Sequence, residues 1–306
     1  MQRRLIDYVV IILKGLAMGA ADAVPGVSGG TIALIAGIYE ELITTISNVN
    51  LSLLKTLLNE GFKSFWIKLN GNFLLALLTG IVISFVSFMR LAKYLIEHEP
   101  ILIWSFFFGL VVASIYFVAK QIKKWTLAVI LGFIVGAFIA FYISTLPSLS
   151  ENNNPSFLIF AGALAICAMI LPGISGAFIL VIIGAYKSLT DAVHDFDFKR
   201  IALFVIGAIV GLLSFSRVLK WLFKRYHNIT LAVLTGFIAG SLNKIWPWKK
   251  VLTWRIDSDG MQVPVLEKSI SPYAYEGDPN ILWAVLLMLF GFLTIFILEK
   301  IGNKYQ

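Results

Sequence analysis

Ser28, Gly29, Gly30 and Thr31 combine hydroxyls with bare backbone, a set that binds negative charge without supplying a positive one. They close the stretch Val24-Pro25-Gly26-Val27-Ser28-Gly29-Gly30-Thr31. Pro25 removes a backbone donor and Gly26 loosens the chain, so a helix must break here. A helix restarting after the break presents unpaired N–H groups and the positive end of its dipole, which together favour an anion. The same device returns at Leu171-Pro172-Gly173-Ile174-Ser175-Gly176, where Ser175 and Gly176 follow the break at Pro172 and Gly173. No basic side chain lies in either stretch. The competing reading is that such small residues only let helices pack closely.

Asp22 is the sole charge between Lys14 and Glu40. An ionisable group inside an apolar stretch is costly, and so is a candidate to carry H+ or Na+. Its other reading is a cap that accepts backbone N–H groups around the break. Arg90 and Arg217 end equivalent apolar runs, in Ser-Phe-x-Arg-x-x-Lys at 87–93 and again at 214–220. Arginine binds phosphate bidentately, although flanking arginines also snorkel to the interface. Lys14, Tyr39 and Tyr186 are weaker candidates, the tyrosines reading as interfacial anchors. His98, His194 and His227 fall in polar loops, make no metal spacing and read as solvated. Cys167 stands alone and excludes an internal disulfide. Neither a catalytic grouping nor a phosphate-binding loop is present. The chain therefore reads as neither enzyme nor ATP-driven pump, with no cofactor.

The elements that hold these residues are membrane helices. Of 306 residues 59% are hydrophobic and 14% charged, whereas a soluble domain is about 45–50% apolar and about 25% charged. Phe, Trp and Tyr suit lipid-facing and interfacial positions. The net charge of +8 belongs to residues flanking spans beside anionic lipid, and does not point to nucleic acid. The basic, apolar start of the chain has the look of a signal peptide, but Asp7 and Lys14 interrupt it.

Apolar segments cover 5–21, 32–47, 73–89, 101–119, 125–146, 201–215, 229–246 and 281–298, with an amphipathic interfacial stretch at 48–72. From Phe157 to Tyr186 there are 30 residues without a charge. One straight helix of that length would run about 45 Å, against a hydrocarbon core of about 30 Å. Broken at Pro172-Gly173, it suits a hairpin that enters and leaves on one side.

The breaks repeat at an offset of 147, with Pro25/Pro172, Gly26/Gly173, Ser28/Ser175, Gly29/Gly176, Gly37/Gly184 and Tyr39/Tyr186. Downstream the offset is 127, with Gly80/Gly207, Arg90/Arg217 and Gly109/Gly236. We therefore read one integral membrane domain of two repeats, 1–146 and 157–306, joined by the linker 147–156, with an extramembrane loop at 247–280. The fold class is an all-α polytopic membrane protein. Each repeat is a re-entrant hairpin plus about three spans, and an odd number of crossings inverts the second repeat. With the N-terminus inside, 15 Lys and Arg fall inside and 10 outside. Counting the broken segments as full crossings gives a parallel pair instead.

Gly19-Ala20-Ala21-Asp22 through Thr31, Gly37-Ile38-Tyr39-Glu40 and the copy at 171–176 resemble the bacterial polyprenyl-phosphate transporter family (PopT), over nearly the whole chain. The resemblance implies return of undecaprenyl phosphate, a lipid carrier, from the outer to the inner leaflet of the bacterial plasma membrane for peptidoglycan and other envelope polymers. It implies no settled binding residues and leaves the oligomeric state open. A channel or secondary carrier for a small soluble anion is the alternative, and a lipid phosphatase is a third reading that the missing acid–base cluster disfavours.

Overall fold

The computed structural model describes residues 3–22, 28–147, 149, 152, 154–256 and 262–303. The chain is overwhelmingly helical. It opens with α1 (Leu5–Asp22), then α2 (Gly29–Ile35) and α3 (Tyr39–Ser47), α4 (Leu51–Lys68), α5 (Gly71–His98), α6 (Pro100–Lys120) and α7 (Leu127–Thr145). The second half runs α8 (Phe157–Ile170), α9 (Gly176–Ile182), α10 (Tyr186–His194), α11 (Phe198–Ser241) and α12 (Ile281–Asn303). Among the described residues four helices are long and apolar enough to cross a membrane, or up to six if each bent pair counts as one span.

Local chemistry fixes the starts. Asn50 caps α4 by accepting from Leu53 N at 3.0 Å, and Asp197 caps α11 by accepting from Arg200 N at 3.1 Å. Pro100 opens α6, where its missing N–H costs nothing. The bends between α2 and α3 (114°) and between α9 and α10 (110°) both turn on a glycine. Gly37 has φ +69 and Gly184 φ +71, backbone that a side chain would resist.

The bounds of α9 and α10 are those of α2 and α3 shifted by 147 residues. A break at Tyr226 (φ −135, ψ 48) divides α11 into limbs 198–225 and 227–241. The first limb is α5 shifted by 127 residues. Each apolar run containing Arg90 or Arg217 ends near that arginine, but the helix does not. It continues to His98 in one case and to Arg225 in the other.

Glycines set the packing. A Cβ on Gly80 would collide with Ile12 O, and one on Gly15 with Leu77 O, so α1 and α5 touch backbone to backbone. Gly162 and Gly207 do the same for α8 and the first limb of α11, against Phe204 O and Ile159 O. Gly109 lies on Met288 O and Gly291 on Phe106 O, which joins α6 to α12. Gly136 and Gly236 join α7 to the second limb of α11. In membranes such close approach replaces the hydrophobic drive that water would supply. The last two pairings cross between halves: each half lends a helix to the other. Side chains such as Ile134, Phe138 and Leu289 stay exposed, as a lipid-facing surface requires.

The segment 247–280 is not wholly irregular. It holds a hairpin of β1 (Lys249–Ile256) and β2 (Gln262–Ser269), antiparallel, with Lys249 opposite Ser269. Val251, Thr253, Trp254 and Ile256 supply the β-branched and aromatic residues of a strand. Trp248 Nε1 donates to Pro279 O at 2.8 Å and Trp246 Nε1 to Ile270 O at 2.9 Å, which ties the hairpin to the helix ends.

Candidate functional site

The two breaks meet. α8 ends at Ile170, before Pro172, which leaves Ile170 O outside the helix and Leu171 O with a long turn bond from Ile174 N at 3.5 Å. Tyr39 OH donates to Ile170 O at 3.0 Å and Ser28 Oγ to Leu171 O at 3.4 Å. Thr31 Oγ1 accepts from Gly173 N at 3.1 Å. The first half thus supplies three side-chain partners to the backbone loosened in the second. Tyr39 is fully buried in this role rather than an interfacial anchor. Gly173 has φ +80, and its Cβ would lie 2.7 Å from Phe237 O, so only glycine fits.

The first break is closed on its described side. Ser28 and Thr31 are 3% and 1% exposed, and Gly29 is buried while Gly30 is partly so. Ser28 Oγ also accepts from Gly30 N at 3.2 Å, and Asp22 Oδ1 accepts from Gly29 N at 2.7 Å. The carboxylate of Asp22 therefore faces the start of α2. Pro25 and Gly26 lie outside the described residues, as does the side chain of Arg90.

The second break is open. Ser175 caps α9, accepting from Phe178 N at 3.4 Å, and with Gly173 and Phe178 it lines a narrow cleft of about 20 Å³, room for about one water. Ser144 of α7, and Ser241 and Lys244 at the end of α11, complete its polar wall. Gly176 is packed against Ala165 O, which would lie 2.6 Å from a Cβ there.

Lys244 is the functional candidate that pattern reading passes over. It lies inside the run 229–246, read as a span, and a charge within a span is itself the signal. Its Nζ lies 4.7 Å over the Phe178 ring and 3.1 Å from Glu267 Oε2. Lys249 Nζ is 3.5 Å from the same oxygen and 4.3 Å over the Trp104 ring. Burial pushes the Lys249 ammonium down to about 8, against the pull of Glu267. Burial alone would raise Glu267, but Lys249 and Lys244 hold its carboxyl below the usual range.

Arg217 is not brought to the breaks. It donates to Val49 O at 2.9 Å, and Lys220 donates to Asn48 Oδ1 at 3.0 Å, both just past α3. Nearby, His227 Nε2 meets Glu40 Oε1 at 3.0 Å. A recess of about 200 Å³ lies there, lined by Glu40, Ile43, Thr44, Lys220, Phe223 and Lys224. Among the described residues no three His, Cys, Asp or Glu gather as metal ligands.

These features define a polytopic helical membrane protein built around two interrupted helices that complete each other. Residues 18–263 match the model of the VCA0040-like family, described as undecaprenyl phosphate translocase-like, and the chain belongs to this family. It is 44% identical to a polyprenyl-phosphate transporter of Vibrio cholerae serotype O1 over 308 residues, covering 99% of this chain and 100% of the relative. It is 29% identical to a polyprenyl-phosphate transporter of Staphylococcus aureus over 254 residues, covering 77% and 85% of the two chains. No solved structure matches.

Proposed function

We propose that this protein moves a polyprenyl phosphate, undecaprenyl phosphate in its bacterial setting, across the plasma membrane, returning the carrier to the inner leaflet for envelope synthesis. Membership of the family and the names of its relatives support the substrate. The observation that carries the mechanism is the paired break: one member closed on its described side, the other opening onto a cleft with hydroxyls and a lysine. A phosphate head takes donors from Ser175, Gly176 and Lys244, while its tail stays in lipid. The sealed half, Ser28, Gly29, Gly30 and Thr31 after Pro25 and Gly26, offers the equivalent site once the contacts across Pro172 and Gly173 exchange. Arg90 and Arg217 receive the phosphate at the two faces.

The alternating pair requires inverted repeats, which we infer from helix directions. Tyr8 meets Asn72, and Gly15 and Gly19 meet Leu77 and Ile81, so α1 and α5 run in the same direction. Arg3 reaches Glu41, which brings the chain back to the side where it entered. In the second half Ile159 meets Gly207 and Cys167 meets Gly211, the same arrangement. With three crossings between them, the two hairpins open on opposite faces. The face bearing Lys123, Arg217 and Lys220 is then cytoplasmic by the positive-inside rule. Asp22 is the group we assign to a coupling H+ or Na+.

The test is transport in proteoliposomes, read as accessibility of the lipid phosphate to an impermeant phosphatase. Ser175→Ala combined with Lys244→Met slows transport at least about tenfold. Unchanged transport in that folded variant refutes the cleft as the headgroup site. Uptake of soluble phosphate without lipid movement favours the small-anion alternative.

A further inference from the structure

Lys244, Lys249 and Glu267 form a cluster with two positive charges and one negative, at the mouth of the cleft. Their side chains are 24%, 8% and 19% exposed, so solvent screens them little. Both ammonium groups approach a single oxygen, Glu267 Oε2. One positive charge is thus left over beside a cleft whose other polar groups are hydroxyls. Aromatic faces fix the lysines: Phe178 under Lys244 and Trp104 under Lys249. The strand bearing Glu267 is held in turn. Ser269 Oγ donates to Asn243 Oδ1 at 2.9 Å, and Asn243 Nδ2 donates to Ser144 Oγ at 3.0 Å, a serine of the cleft wall.

Resting on the reading of the substrate above, we propose that Lys244 and Lys249 form a receiving site for a phosphate monoester, which Glu267 of the hairpin occupies until the phosphate displaces it. A phosphate dianion has the charge and the oxygens to meet both ammonium groups at once, where the carboxylate presents one oxygen to both. The hairpin is then part of the transport machinery, because its second strand carries the group that competes with substrate. Displaced Glu267 frees the strand from Lys244, which lines the same cleft as Ser175.

The experiment is equilibrium binding to purified full-length protein in nanodiscs, followed by fluorescence of Trp104, Trp246 and Trp248. A short-chain polyprenyl phosphate and inorganic phosphate are titrated separately. Glu267→Gln tightens phosphate binding about tenfold, Lys244→Met and Lys249→Met each loosen it, and the double variant Glu267→Gln/Lys244→Met loses the gain. Unchanged or weaker binding in folded Glu267→Gln overturns the proposal. If that variant does not fold, an unaltered affinity in Lys249→Met overturns it equally. Lipid that binds with no response to any variant removes the receiving site and leaves the substrate reading intact. Inorganic phosphate that follows the pattern, with no binding of the lipid, keeps the site and removes the lipid. If neither ligand binds, both fall.

Discussion

Thr31 Oγ1 accepts the backbone N–H of Gly173 at 3.1 Å, so a side chain of one half completes the break in the other. Thr31 is 1% exposed. Thr31→Val leaves a buried donor without a partner, which costs about 1–3 kcal/mol. Thermal unfolding in detergent checks this: Thr31→Val lowers the midpoint, and Thr31→Ser, which keeps the oxygen, does not.

How much of this was legible beforehand depends on range. The breaks, the offsets of 147 and 127 and the glycine pairs are local patterns, and α2/α9 and α5 with the first limb of α11 obey them. The bends at Gly37 and Gly184 were present as a matched pair of glycines, but helical periodicity does not report a turn of over 100° in an apolar run. The exchange of helices between halves lies in contacts such as Gly109 on Met288, which no local pattern encodes. The asymmetry of the site is likewise tertiary. Ser28 and Ser175 occupy matching positions, yet one is sealed by Leu171 O and the other borders a cleft. Lys244 was visible as a charge inside a span, and its partner Glu267 only through the hairpin.

Gly207 lies where α8 and α11 touch, and a methyl there meets Ile159 O. Gly207→Ala forces the helices apart at a cost of about 1–3 kcal/mol. Gly132→Ala is the control, because its Cβ meets a movable methyl, Val233 Cγ2, at 3.3 Å. Unfolding midpoints measured side by side separate the two.

Lys249 gives up its proton near pH 8 when folded, against 10.5 for an ordinary lysine. Between those values the unfolded chain binds more protons, so stability rises with pH. Thermal unfolding followed by tryptophan fluorescence shows this rise between about pH 8 and 10.5 in the native chain. The rise is lost in Lys249→Met.

Asp22 Oδ1 accepts from Gly29 N at 2.7 Å, a bond that asparagine can keep. Asp22→Asn therefore folds normally, and on the coupling role proposed above any dependence of native transport on pH or Na+ is missing from it. A dependence that survives in Asp22→Asn makes the residue a cap and nothing more.

The most direct measurement asks whether the lipid itself crosses. Vesicles carrying polyprenyl phosphate in both leaflets are treated with an impermeant phosphatase. Without transport the enzyme reaches only the outer leaflet. With this protein reconstituted, hydrolysis passes that plateau and runs toward completion while soluble phosphate stays trapped inside. Hydrolysis that stops at the outer-leaflet plateau, with correctly folded protein in the membrane, contradicts the account.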